Sequence, residues 1–313
     1  MQVEEEERVV VLGTGGTIAG SASSAADHVG YKAGQVPVQQ LLTGIPALAH
    51  VSLVAEQVAQ VDSKDMGPAV WLPLARRCQH WLAQPQVTGV VVTHGTDTLE
   101  ETAYFLHRVL APAKPLVLTC AMRPATALSA DGPQNIADAI AVVRTAGARG
   151  VVAVCAGRVH AGVDVRKVHP YRLDAFSSGD AGVLGHVEDG RLRQLRDWPA
   201  QGEVALPVEA LDTRHEWPHV EIVLSHSGAS GRAVEALVRD GVQGLVVAGT
   251  GNGSVHAALE SALVAAMKQG VQVLRTTRCA EGEVVGRDAD PLPKTTLTPV
   301  QARIELQLRS LAR

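Results

Sequence analysis

Apolar residues recur along the chain in two alternating rhythms. Short unbroken runs at Arg8–Leu12, Val87–Val92, Leu116–Leu118 and Val151–Val154 have the length and β-branched content of buried strands. Between them the spacing turns helical. Ala69–Leu82 puts Val70, Trp71, Leu74 and Cys78 on one face, and Asn135–Thr145 is amphipathic. Thr98-Leu99-Glu100-Glu101 predicts a capping box that opens a helix running through Ala103–Leu110. The rhythm fades after Gly179, and Asp189–Trp217 mixes charge, Pro and Gly without a sustained period. A second series follows at Val220–Leu224, Gly231–Arg239, Leu245–Val247, Val255–Lys268 and Val271–Leu274. Thr298-Pro299 then opens a last helix.

Alternating β and α segments predict parallel sheets with right-handed crossovers. The expected fold class is α/β: two α/β domains with mainly parallel sheets, a larger one over 1–188, a linker over 189–217 and a smaller one over 218–313. In such sheets ligands bind beyond the carboxyl ends of the strands.

Composition narrows the function classes. With 46% hydrophobic residues and only 3% aromatics, the core must come from Val, Leu, Ala and Ile. A formal net charge of -4 gives no basic excess for nucleic acid or an anionic membrane, and Glu4–Glu7 reads as a solvated run. Cys78, Cys120, Cys155 and Cys279 form no CxxC pair, so neither a zinc knuckle nor a redox motif is expected, and Cys120 and Cys155 read as small buried hydrophobes. No run reaches membrane-spanning length. The acidic start lacks a secretory pattern, so the expected localisation is cytoplasmic, or periplasmic if a signal segment has been removed.

Two polar clusters follow apolar runs. Gly13-Thr14-Gly15-Gly16-Thr17-Ile18-Ala19-Gly20 lacks the glycine spacing of a dinucleotide loop and the lysine of a P-loop. In Thr93-His94-Gly95-Thr96-Asp97-Thr98, helix capping accounts for Thr98, but a hydroxyl beside a carboxylate at Thr96-Asp97 exceeds what capping requires. His94 reads as a packed histidine that shapes the loop.

VLGTGGTIAG and VVTHGTDTLEETAYFL together resemble the two signature regions of the bacterial L-asparaginase family. The likeness continues through VDSKDM (61–66), DVRK (164–167), GTGNGS (249–254) and TLTPVQARIELQL (296–308), and so covers nearly the whole chain. The nearest likeness is to the homotetrameric type. The resemblance implies hydrolysis of L-asparagine to aspartate and ammonia, with no metal or organic cofactor and an amino acid as the small-molecule substrate. It implies Thr17 as nucleophile and Tyr31, in a Ser-, Ala- and Gly-rich lid over 20–36, as the group that takes or orients its proton. Thr96, Asp97 and Lys167 resemble the family's second triad, in which Lys167 acts either as a neutral base or as a charge that holds Asp97 and polarises Thr96. Ser63 matches the residue that binds the substrate carboxylate, and Asp97 suits the α-ammonium. Backbone amides near Thr96 would form the oxyanion hole. Asn252 matches an asparagine supplied by a neighbouring subunit, which implies a homotetramer built as a dimer of dimers.

Lys64 departs from the pattern. It stands in the substrate-binding loop where the family usually carries an uncharged amide, and it brings positive charge toward the α-ammonium. Its expected effect is to weaken glutamine binding more than asparagine binding. Arg278–Pro293 departs too, leaving Glu281 and Glu283 as alternatives for a glutamate that reaches across the subunit boundary. His215-Glu216-Trp217-Pro218-His219 has the HExxH spacing, but Pro218 would break the helical turn a zinc site needs. Ser230 lacks the GxSxG context, because Arg232 stands where glycine is required. The competing readings are a broader glutaminase–asparaginase and an amino-acid sensor that does not hydrolyse its ligand.

Overall fold

The valine-rich runs become the centre of a large sheet. A computed structural model describes residues 6–200, 202–212, 216–286 and 290–312. The chain divides into two compact units, Met1–Val204 and Ala205–Arg313.

In the first unit the strands are β1 (Arg8–Gly15), β2 (Leu53–Val61), β3 (Val87–Thr93), β4 (Pro115–Thr119), β5 (Gly150–Cys155), β6 (Arg158–Ala161), β7 (Arg166–Lys167), β8 (Phe176–Ser177), β9 (Gly185–Glu188) and β10 (Arg191–Gln194). The helices are α1 (Val38–Leu42), α2 (Pro68–Leu82), α3 (Leu99–Leu110) and α4 (Gly132–Val143). Eight strands form one sheet in the order β10-β9-β6-β5-β4-β3-β1-β2, and β7 and β8 pair separately. From β2 to β5 every neighbouring pair is parallel, while β6, β9 and β10 join antiparallel.

Successive side chains of a strand point to opposite faces. Val9, Val11, Val91, Val117, Val152 and Val154 pack with Ile136, Ile140 and Val143 of α4. Val10, Leu12, Val90, Val92, Leu116 and Leu118 alternate with them and are fully buried, which places them on the opposite face. The central strands are apolar on both faces, as parallel strands covered on both sides require. Cys120 and Cys155, just past β4 and at the end of β5, are buried with their sulfurs 3.1 Å apart.

The first unit runs further than the expected boundary at 188. Asp189 and Gly190, both at positive φ, turn the chain into β10, which pairs with β9. The expected linker therefore begins inside a hairpin. Its strands are short and charged, so they carried no apolar period.

The second unit holds α5 (Val208–Asp212), β11 (Val220–Leu224), α6 (Arg232–Arg239), β12 (Gly244–Gly249), α7 (Ala257–Lys268), β13 (Gln272–Thr277) and α8 (Pro299–Leu311). Its parallel sheet has the order β11-β12-β13. One face packs on Val234, Leu259 and Leu263, and the other on Ala302 and Leu306 of α8. Thr298 and Gln301 form a capping box at the start of α8, with Pro299 in its first turn. No helix of the described residues is long and apolar enough to cross a membrane.

Candidate active site

The carboxyl ends of β1 and β3 lie side by side, with Gly13 opposite Thr93. Beyond that point the chains nearly touch. Gly16 has φ 79°, and a Cβ there would sit 2.2 Å from the Gly95 Cα. A Cβ on Gly95 would meet the Ser63 Oγ. No side chain fits either gap, which is why two glycines stand there. Thr17 and Thr96 each follow one of these glycines, so the backbone contact draws the two polar clusters together.

Thr17 opens a single 3₁₀ turn after β1 and is buried. Its Oγ1 lies 2.6 Å from the Tyr31 Oη. The segment carrying Tyr31 is held shut at its base by reciprocal backbone bonds between Ser21 and Lys32. Gly34 and Gln35 then return to the Gly16 and Ala19 carbonyls. Gly20 leaves room for the tyrosine ring, because a Cβ there would lie 2.8 Å from Cδ2. The Tyr31 segment thus covers Thr17.

Lys167, on β7, donates to the Thr96 Oγ1 at 2.8 Å and to the Asp97 Oδ1 at 2.6 Å. The Thr96 hydroxyl makes a long 3.4 Å contact to the same carboxylate oxygen. The lysine side chain is 16% exposed and that of Asp97 53%, so the carboxylate is anchored on one side and open on the other. The Ser63 Oγ accepts from the Asp97 amide at 3.2 Å, which leaves the serine hydrogen available to a ligand.

The capping box expected at Thr98 does not form. Thr98 makes no side-chain cap, and its hydroxyl donates instead to the Ser63 carbonyl at 2.7 Å. A tertiary acceptor wins over the local amide, and the result ties the Ser63 loop to the start of α3. Lys64 points outward, its ammonium held by Asp62 and Asp65. Those carboxylates favour its charged form, chiefly through the hydrogen bond that the ammonium donates to Asp65.

Nothing in the local pattern singles out Glu100. This half-buried side chain accepts from the Lys167 backbone amide, and burial, reinforced by Glu101, pushes its carboxyl up to about 7. It reads as an ordinary first-turn acid of a helix, and only the fold shows that it grips the strand carrying Lys167.

Asn252 belongs to the second unit, in the turn after β12. Its amide makes a two-way bond with Val285, donating to the carbonyl at 2.6 Å and accepting from the amide at 2.8 Å. Of the HExxH run, His215 lies outside the described residues. Glu216–His219 are not helical, and β11 starts at Val220. Among the described residues no group of three or more His, Cys, Asp or Glu is placed to hold a metal.

A tyrosine-covered hydroxyl at the carboxyl end of a parallel sheet, beside a lysine-anchored carboxylate, belongs to the class of α/β amidohydrolases. Residues 8–199 match the model of the asparaginase N-terminal domain, and residues 219–310 that of the glutaminase/asparaginase C-terminal domain. The chain belongs to the asparaginase–glutaminase family. It is 40% identical to a glutaminase-asparaginase of Pseudomonas fluorescens biotype A, over 90% of this chain and 78% of that one. It is 37% identical to the L-asparaginase 2 of Escherichia coli, over 96% and 88%. The crystal structure of a probable cytoplasmic L-asparaginase from Campylobacter jejuni superposes with a TM-score of 0.92 at 37% identity, covering 98% of this chain and 96% of that one.

Proposed function

We propose that this chain hydrolyses the side-chain amide of L-asparagine to L-aspartate and ammonia, with Thr17 as the nucleophile. The carrying observation is the 2.6 Å contact between the Thr17 Oγ1 and the Tyr31 Oη, which gives a weak hydroxyl nucleophile a partner for its proton. The Thr17 oxygen bonds to the amide carbon as its proton leaves, the carbon–nitrogen bond breaks, and ammonia departs with that proton. Water then cleaves the aspartyl ester, which restores the threonine. Lys167 holds Asp97 and Thr96 in place through the second step and the first alike.

The open oxygen of Asp97 takes the substrate ammonium, and the free hydrogen of Ser63 takes its α-carboxylate. Lys64 belongs to the same loop and tunes it through charge. Asn252 completes the site of a neighbouring subunit in a homotetramer. The working compartment is the cytoplasm, in line with the description of the Campylobacter structure, whereas a Haemophilus influenzae relative is described as a probable periplasmic L-asparaginase. Light scattering and cell fractionation test these last two assignments.

The decisive experiment measures ammonia release from L-asparagine and L-glutamine by the wild type and Thr17→Ala. Release from asparagine that vanishes in the variant is the expected result. A folded Thr17→Ala enzyme with wild-type turnover would move the nucleophile elsewhere, and a wild type inactive on both amides would leave a ligand sensor as the better reading.

A further inference from the structure

A chain of buried hydrogen bonds runs from α2 into the loop that carries Thr96. The Trp71 Nε1 is 2.9 Å from the Thr102 Oγ1, which is 2.9 Å from the His94 Nε2. The His94 Nδ1 lies 2.7 Å from the Gly95 carbonyl oxygen. Trp71 is 3% exposed, and Thr102 and His94 are inaccessible. Trp71 also stacks on Phe105, with ring centroids 4.9 Å apart, which fixes the indole.

The direction of this chain has a single solution. An indole N–H only donates, and a carbonyl oxygen only accepts. The His94 Nδ1 therefore carries a proton, which it gives to Gly95. Burial pushes the imidazole down to about 4, so the ring is neutral and its Nε2 is an acceptor. Thr102 accepts from Trp71 and donates to that nitrogen. All donors point the same way, from Trp71 toward Gly95, and such aligned chains strengthen one another.

The last link has a geometric consequence. The peptide bonds of the described residues are trans. In a trans peptide the carbonyl and the following N–H point in opposite directions. Fixing the Gly95 carbonyl on the buried histidine therefore fixes the Thr96 N–H on the other side of the peptide plane. That amide donates to no protein acceptor among the described residues. The preceding link of the backbone is fixed as well, because the His94 amide donates to the Thr119 carbonyl at 2.8 Å.

We infer that Trp71, Thr102 and His94 are positioning residues that hold the Gly95–Thr96 peptide so that the Thr96 N–H is aimed at the oxyanion formed when Thr17 attacks. This rests on the amidase reading above. A donor aimed in advance costs no reorganisation as charge develops, and an amide that must rotate into place loses that advantage.

The test uses the full-length enzyme, with ¹⁵N-labelled histidine and threonine followed by NMR and with asparagine kinetics. His94 should show the neutral Nδ1–H tautomer, unchanged from about pH 5 to 9. Thr102→Val removes both the acceptor for Trp71 and the donor to His94. It should lower kcat by about 10- to 100-fold, leave KM within about twofold, and shift the Thr96 amide resonance. Thr102→Ser should restore both kcat and the resonance. If Thr102→Val fails to fold, Trp71→Phe, which keeps the stacking on Phe105, should give a smaller kcat loss in the same direction. A His94 protonated on Nε2, or a folded Thr102→Val enzyme with wild-type kcat, would overturn the inference. A wild type with the expected tautomer but no activity on either amide would instead sink the amidase reading, and the catalytic meaning of the relay with it.

Discussion

Glu100 gives a sharp test of the electrostatics around Lys167. Its carboxyl is raised from 4.5 to about 7, first by burial and then by Glu101, against the lowering effects of the Lys167 amide and of Arg166 and Lys167 as cations. Because the folded pKa lies above the unfolded one, the folded state binds more protons in between, and stability falls as pH rises through that window. Its contribution is fully present below about pH 4.5 and lost by about pH 8. The full shift corresponds to about 3 kcal/mol. Glu100 is only half-buried, and solvent screening reduces this to about 1–2 kcal/mol. Glu100→Gln keeps the acceptor for the Lys167 amide and never ionises. Urea unfolding at about pH 5 and about pH 8.5, at fixed protein concentration, should show the variant gaining about 1–2 kcal/mol on the wild type at the higher pH and little at the lower. Parallel pH dependence in the two proteins would refute the reasoning.

Other perturbations separate the roles around Thr17. Tyr31→Phe removes the 2.6 Å partner of Thr17, the proposed nucleophile, and should cut kcat for asparagine by about 100-fold or more, and a loss under threefold would assign the proton to another group. Lys167→Met should lower kcat by a similar factor of about 100, while wild-type turnover would show that Asp97 and Thr96 hold their places unaided. Lys64→Gln should raise the glutamine-to-asparagine ratio of kcat/KM by less than about tenfold, because Asp62 and Asp65 already offset the ammonium, and an unchanged ratio would remove Lys64 from specificity. Gly16→Ala, with its methyl driven into Gly95 at a positive φ, should cost more than about 3 kcal/mol in thermal unfolding, and a parental melting temperature would contradict the close approach.

The central strands were legible because burial on both faces leaves an unbroken valine signature, as in Val9–Leu12 and Val90–Val92. Strand β2 was not, since Glu56, Gln57 and Gln60 interrupt its apolar residues on the edge of the sheet. Glu56 stays ionised there by pairing with Arg77 and Trp81, partners that no local pattern reveals. The grouping of Thr96, Asp97 and Lys167 rested on motif likeness, and the bonds from the Lys167 ammonium bring the three side chains together. Around the site, contacts whose second partner is backbone stayed hidden as well. The Thr98 hydroxyl ends on the Ser63 carbonyl, Glu100 on the Lys167 amide and His94 on the Gly95 carbonyl. A side chain aimed at a peptide group leaves no complementary residue in the sequence to betray it.

The bond between Asn252 and Val285 changes what mutagenesis at that position can report. The amide uses its oxygen and one of its hydrogens to splice the turn after β12 to the segment that follows Glu281 and Glu283. Asn252→Ala deletes a side chain and at the same time releases that segment, so a rate loss in the variant has two sources that one number cannot divide. Asn252→Asp keeps the acceptor for the Val285 amide but loses the donor to its carbonyl, and the pair of variants separates the side chain's own contact from the placement of its neighbours.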